Sequence, residues 1–107
     1  SEQARRPAAP LGYILEGDAL AALGKLEEAE SVLELALQRQ PVAPLAVRLF
    51  AVKTARSDAL SAIAWLDDWS KRHANVSSVH VAIADQYLRL GRRADAMRHY
   101  DVALQAG

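Results

Sequence analysis

Three histidines, His73, His80 and His99, and two adjacent carboxylate pairs, Glu27-Glu28 and Asp67-Asp68, are the residues whose types could support metal or acid–base chemistry. No two histidines stand four apart and no HExxH occurs, so their spacing predicts no metal site, and they read as solvated or half-buried side chains. Adjacent residues on a helix point about 100° apart. Neither carboxylate pair can therefore straddle a cleft as glycosidic chemistry requires, and both read as solvated helix faces. There is no GxSxG, Walker A or GxGxxG sequence. The absence of cysteine excludes thiol nucleophiles, disulfides and Cys-ligated zinc. No catalytic residue and no cofactor is expected. Trp65 and Trp69 lie one helical turn apart, which would suit a stacking platform for sugar or peptide, but packing between structural units is the favoured reading. Arg92, Arg93 and Arg98 read as a solvated basic face.

The composition limits what can position these residues. Lys plus Arg and Asp plus Glu number 13 each in 107 residues, a neutral balance that argues against a general nucleic-acid binder. Charge is uneven along the chain, with −3 over residues 1–40, +2 over 41–76 and +1 over 77–107. Apolar residues make up 51% of the sequence, enough to bury a core. Apolar stretches fall short of the roughly 18 residues that span a bilayer, and no signal peptide opens the sequence. With 22 alanines and 15 leucines against one threonine and one phenylalanine, helix is favoured over sheet.

The sequence repeats itself. At an offset of 67, Gly17 matches Ala84, Asp18 Asp85, Leu20 Tyr87, Gly24 Gly91, Ala29 Ala96, Leu33 Tyr100, Ala36 Ala103 and Leu37 Leu104. The middle copy is found 34 residues on for Tyr13 and Gly17, at Val47 and Ala51, but 33 on for Ala29 and Leu33, at Ala62 and Leu66. This places a one-residue deletion in a turn near Arg56, Ser57 and Asp58, where it costs least. His80 then takes the place of Tyr13 and Val47. Each unit reads as two helices. Pro10 and Pro44 open the first helices of units one and two, while unit three starts near Ser77 or Ser78. Gly24 and Gly91 supply left-handed stops. Second helices begin near Leu26 and near residue 58, where Ser57 or Asp58 is the N-cap candidate, and the last runs to about Gln105. The organisation predicted is a flexible arm over residues 1–9 and units at 10–42, 43–76 and 77–107.

A helix–turn–helix unit of about 34 residues with small residues at Gly17, Ala51 and Ala84, at Ala29, Ala62 and Ala96 and at Ala36 and Ala103, glycine turns, and Pro41 after the second helix resembles the tetratricopeptide repeat (TPR). The resemblance covers residues 10–107 and implies an all-α superhelix, a right-handed solenoid of three helix–turn–helix repeats and six helices. Three positions depart from the pattern. Trp69 stands where alanine stands in the other units and should widen the packing. Ala74 replaces the terminal proline and should let its helix run on. Ser57-Asp58 replaces the turn glycine.

Within that family, the stretches from Gly12 to Leu20, Ala64 to Trp69 and Ala84 to Leu88 resemble the TPR lipoproteins of bacterial PEP-CTERM/exosortase sorting and exopolysaccharide systems. This implies a periplasmic or outer-membrane-associated location, with the cytoplasm as the alternative, and a parent with more repeats. The anchor cysteine of such lipoproteins is not in the sequence. The resemblance also implies a non-catalytic interaction scaffold whose first helices line a concave face. Carried over position by position, the partner-binding face comprises Asp18, Arg48, Val52, Arg56, Val81, Asp85 and Arg89. That mixed lining suits a protein or peptide of both charge signs. The Lys/Asn carboxylate-clamp pattern is absent, so chaperone C-terminal peptides are not expected. The alternatives are binding of the exopolysaccharide itself, or self-association through the last helix, whose Met97, Tyr100 and Leu104 lack a following unit to cover them. Neither nucleic acid nor direct membrane insertion is expected.

Overall fold

Six helices follow one another in a computed structural model that describes residues 9–73 and 75–106. They are α1 (Pro10–Ala22), α2 (Leu26–Arg39), α3 (Ala43–Arg56), α4 (Ala59–Arg72), α5 (Ser77–Arg89) and α6 (Arg93–Gln105), and the described residues contain no strand. None of the helices is long and apolar enough to cross a membrane. The predicted arm lies outside the described residues except for Ala9, which precedes α1. So does Ala74; α4 itself ends at Arg72.

Local chemistry sets the turns. Gly24 and Gly91 adopt φ of +80° and +77°, a region costly for any residue with a Cβ. Each lets the chain fold back so that the amide two residues past the C-cap reaches the last turn. Lys25 N–H donates to Leu20 O at 2.8 Å and Arg92 N–H to Tyr87 O at 2.9 Å. Between α3 and α4 there is no glycine. Asp58 stops the chain instead, its Oδ1 accepting from Ser61 N–H at 2.8 Å and its Oδ2 from the Ser61 hydroxyl at 2.9 Å. Those bonds hold the Asp58 carboxyl below the ordinary aspartate range.

Consecutive helices pack as antiparallel pairs around a continuous apolar spine that includes Leu33, Leu45, Leu49, Leu66, Val79 and Ile83, all fully buried. Gly17 lets α1 press on α2, since a Cβ there would lie 3.0 Å from Leu33 Cδ1 and Cγ. Such close approach needs a residue with no side chain.

The repeat register differs from that read in the sequence. Buried pairs Leu45/Val79, Ala46/His80, Leu49/Ile83, Phe50/Ala84 and Val52/Gln86 are all 34 apart by residue number, whereas Gly17 precedes Phe50 by 33. Helix starts agree: Pro10 to Ala43 and Leu26 to Ala59 are 33, while Ala43 to Ser77 and Ala59 to Arg93 are 34. The shorter spacing therefore arises in the α2–α3 connection, residues 40–42, and not near Arg56–Asp58. The α3–α4 turn is indeed one residue shorter than the other two intra-unit turns, but α3 is one residue longer and absorbs the change. Phe50, not Ala51, occupies the place of Gly17 and Ala84, and His80 takes the place of Ala46, not Val47. Ala51 is exposed.

Candidate functional site

The first helices nest side by side, α1 against α3 and α3 against α5, whereas α2 and α4, and α4 and α6, make no comparable approach. A ribbon closer-packed on one side curves toward it, so α1, α3 and α5 form the inner face. On that face Arg48 Nη1 lies 3.7 Å from Asp18 Oδ2, both half-exposed. Leu11 on α1 and Val81 and Leu88 on α5 present exposed apolar surface. Asp85 sits at the repeat position of Asp18. Its Oδ1 accepts from the Tyr100 hydroxyl at 2.5 Å, which pushes the phenol above its ordinary value. Arg89 Nη1 donates to Gln86 Oε1 at 3.3 Å.

Two residues assigned to this face lie elsewhere. Val52 is only 7% exposed and packs in the core, because the one-residue register shift turns it inward in phase with Gln86. Arg56 points to α2, where its Nη1 donates to Glu30 Oε1 at 2.5 Å. Lys53 Nζ completes that cluster, 3.0 Å from Glu30 Oε2, 3.3 Å from Glu34 Oε2 and 5.1 Å from the centre of the Trp65 ring. Burial would raise the Glu30 carboxyl, but hydrogen bonds from Arg56 and Lys53 outweigh it and hold it below its ordinary range. Burial likewise opposes the charge on Lys53, and Glu30 and Glu34 together outweigh it and raise the ammonium. This buttress ties α2 to α3 across the boundary between the first two units.

On the outer side, the gap between α2 and α4 leaves a groove of about 540 Å³. Leu37, Leu49, Trp65 and Trp69 are among its apolar lining, and Glu34, Arg72 and His73 are among the exposed polar residues that line it. Trp69 stands where Ala36 and Ala103 stand, and α4 packs less closely on α5 than any other consecutive helix pair does. Its ring is 3% exposed and tilts 33° against His73, so it offers no free face for a sugar ring.

A further group was not foreseen from spacing. Asp67 on α4, His80 on α5 and His99 on α6 each bring a ligand-type atom to within 4.8 Å of the others. The two imidazoles stack at 5.5 Å with Nδ1 atoms 3.2 Å apart, and the Tyr87 ring lies 5.6 Å from His99. His80 Nε2 is 2.5 Å from Asn75 Oδ1. Burial holds both histidines below the ordinary imidazole value, opposed by the charge of Asp67. For His99 the neighbouring His80 and Arg98 add to the lowering, and Asp95 opposes it. The available signal was His80 itself, a titratable residue at a core position of its repeat.

Fold and surface together define the class: an all-α, TPR-type helical repeat. The sequence matches no established family profile and no curated protein. Among solved structures, MamA (MSR-1 C2) superposes on the chain with a TM-score of 0.62 at 22% identity, over 95% of this chain and 59% of that one. The chain thus spans about three-fifths of the length of the solved chain it matches, and the likeness is one of fold.

Proposed function

We propose that the chain is a non-catalytic scaffold that presents the inner face of α1, α3 and α5 to a protein or peptide partner. The observation that supports it most is that the same three first helices carry exposed apolar residues, Leu11, Val81 and Leu88, and exposed charges of both signs, Asp18, Arg48, Asp85 and Arg89. Apolar ground gives such a surface affinity, while charges of both signs fix register and exclude wrong partners. The resemblance to sorting-system and exopolysaccharide lipoproteins would place that partner in a bacterial envelope, with the chain as one segment of a longer array. Polysaccharide binding is less well supported, because Trp69 has no open ring face.

The test is affinity capture from the native host with the full-length parent, followed by reverse-charge substitution. Arg48→Glu with Arg89→Glu should abolish recovery of the captured partner and leave the helical circular dichroism unchanged, since both side chains are exposed. Recovery indifferent to both changes would show that the inner face is not used. A second reading is favoured by one observation, that the outer α2–α4 groove encloses about 540 Å³ and is lined by Trp65 and Trp69. If the partner is lost with Arg72→Glu in the groove lining and kept with the Arg48 and Arg89 changes, the outer groove is the binding site.

A further inference from the structure

We propose that Asp67, His80 and His99 form a binding site for a divalent transition-metal ion of the zinc class, which locks unit three onto unit two. Three helices supply one ligand each, from residues far apart in sequence.

The geometry fits an ion between the rings. A four-coordinate zinc-class ion holds imidazole nitrogens at about 2.0–2.1 Å, which sets two of them roughly 3.3 Å apart on the edge of a tetrahedron. The Nδ1 atoms of His80 and His99 are 3.2 Å apart. The tautomer is also set. Asn75 Oδ1 can only accept, so His80 Nε2 carries its hydrogen and Nδ1 of the neutral ring keeps a bare lone pair directed at the site. A carbonyl on the non-ligating nitrogen is the usual outer partner of a metal-bound histidine. Without a metal, His99 Nδ1–H donates to that lone pair. With one, His99 moves its hydrogen to Nε2 and both lone pairs face the ion.

Asp67 supplies the anionic third ligand. It must draw in from within 4.8 Å, and its competing partner, Lys71 at 3.3 Å, is a mostly exposed side chain that yields easily. Arg98 is held by Asp95 at 2.7 Å, so that cation is partly neutralised near the site. Two imidazoles and one carboxylate select zinc, cobalt, nickel or copper over calcium or magnesium, which require oxygen ligands. Three protein ligands leave a fourth position for water. The structural effect is specific: α4 and α6 make no backbone approach of their own, so the ion would be their direct link and would fix the angle between the last two units.

Zinc titrated above neutral pH into the chelator-stripped chain, followed by calorimetry and thermal melting, tests this. One ion per chain should bind and raise the melting midpoint, and cobalt(II) should give the intense visible absorption of a four-coordinate site. Asp67→Asn and His99→Gln should each weaken zinc binding by at least about tenfold, and Asn75→Ala by about tenfold or more through loss of the outer partner. His73→Gln, outside the cluster, should change nothing. The proposal is overturned by a midpoint that does not move with zinc, by a shift retained in Asp67→Asn and His99→Gln, or by one abolished in His73→Gln. Should a variant fail to fold, the wild-type cobalt spectrum still decides, since a weakly absorbing octahedral spectrum would exclude the site.

Discussion

Gly17 permits a quantitative test of how α1 seats on α2. Replacing it with alanine has two opposed effects. In a helix interior, alanine is favoured over glycine by about 1 kcal/mol. Against that, the new Cβ would meet Leu33 Cδ1 and Cγ at 3.0 Å and Cδ2 at 3.1 Å, well inside the usual carbon–carbon separation. Leu33 is fully buried and cannot swing away, and overpacking of this kind costs about 1–3 kcal/mol. The balance predicts a net loss of roughly 1 kcal/mol, or a fall in melting temperature of about 4–8 °C for a domain of this size. The sign should reverse once the obstacle is removed. Leu33→Ala alone costs about 2–5 kcal/mol. In that background Gly17→Ala should stabilise by about 1 kcal/mol, because only the propensity effect survives. Urea denaturation followed by circular dichroism for the four proteins of the cycle gives a coupling energy, expected at about 1–3 kcal/mol. Strict additivity, with Gly17→Ala stabilising in both backgrounds, would refute the close approach of the two helices.

A Cβ added at Gly24 or Gly91 would meet no atom within 4 Å, so Gly→Ala at either site tests backbone strain alone; each should lose about 1 kcal/mol in the same urea assay. Glu30→Gln should lower stability by roughly 1 kcal/mol at neutral pH, because the solvent-open Arg56 end of the cluster is screened. Since the folded-state carboxyl titrates below its unfolded value, this contribution is present above the unfolded glutamate range and is lost as pH falls through the folded value. The stability gap between wild type and Glu30→Gln should therefore close in acid, and a gap that widened would reverse the assignment. Trp69→Ala should cost about 3–5 kcal/mol, as expected for a buried aromatic, with the melting temperature as readout. Unchanged stability together with lost oligosaccharide retention would instead make the ring a binding platform.

Most of the fold was legible because its determinants are local. Gly24 and Gly91 mark turns through their need for positive φ, Asp58 caps α4 through a side chain three residues from its donor, and the alanine rows mark where helices approach. The register of unit two was not legible. Ala51 looks like the counterpart of Gly17 and Ala84 because it is small, yet Phe50 takes that place. Size is a weak guide when the neighbouring helices set the depth of the slot. Val52 was misplaced by that same residue of phase, and Arg56 is drawn to α2 by its ion pair with Glu30.

The amino-acid sequence by itself determined that the chain is helical, that it repeats, and that each unit is a pair of helices joined by a tight turn. These follow from short-range propensities and spacings that act within one or two turns. Only the tertiary structure decided that Arg48 pairs with Asp18 on the inner face while Arg56 turns to Glu30, and that Asp67, His80 and His99 converge. Those outcomes depend on the crossing angles and separations of helices from different units. Such angles are set by the summed packing of many side chains, which no local spacing encodes.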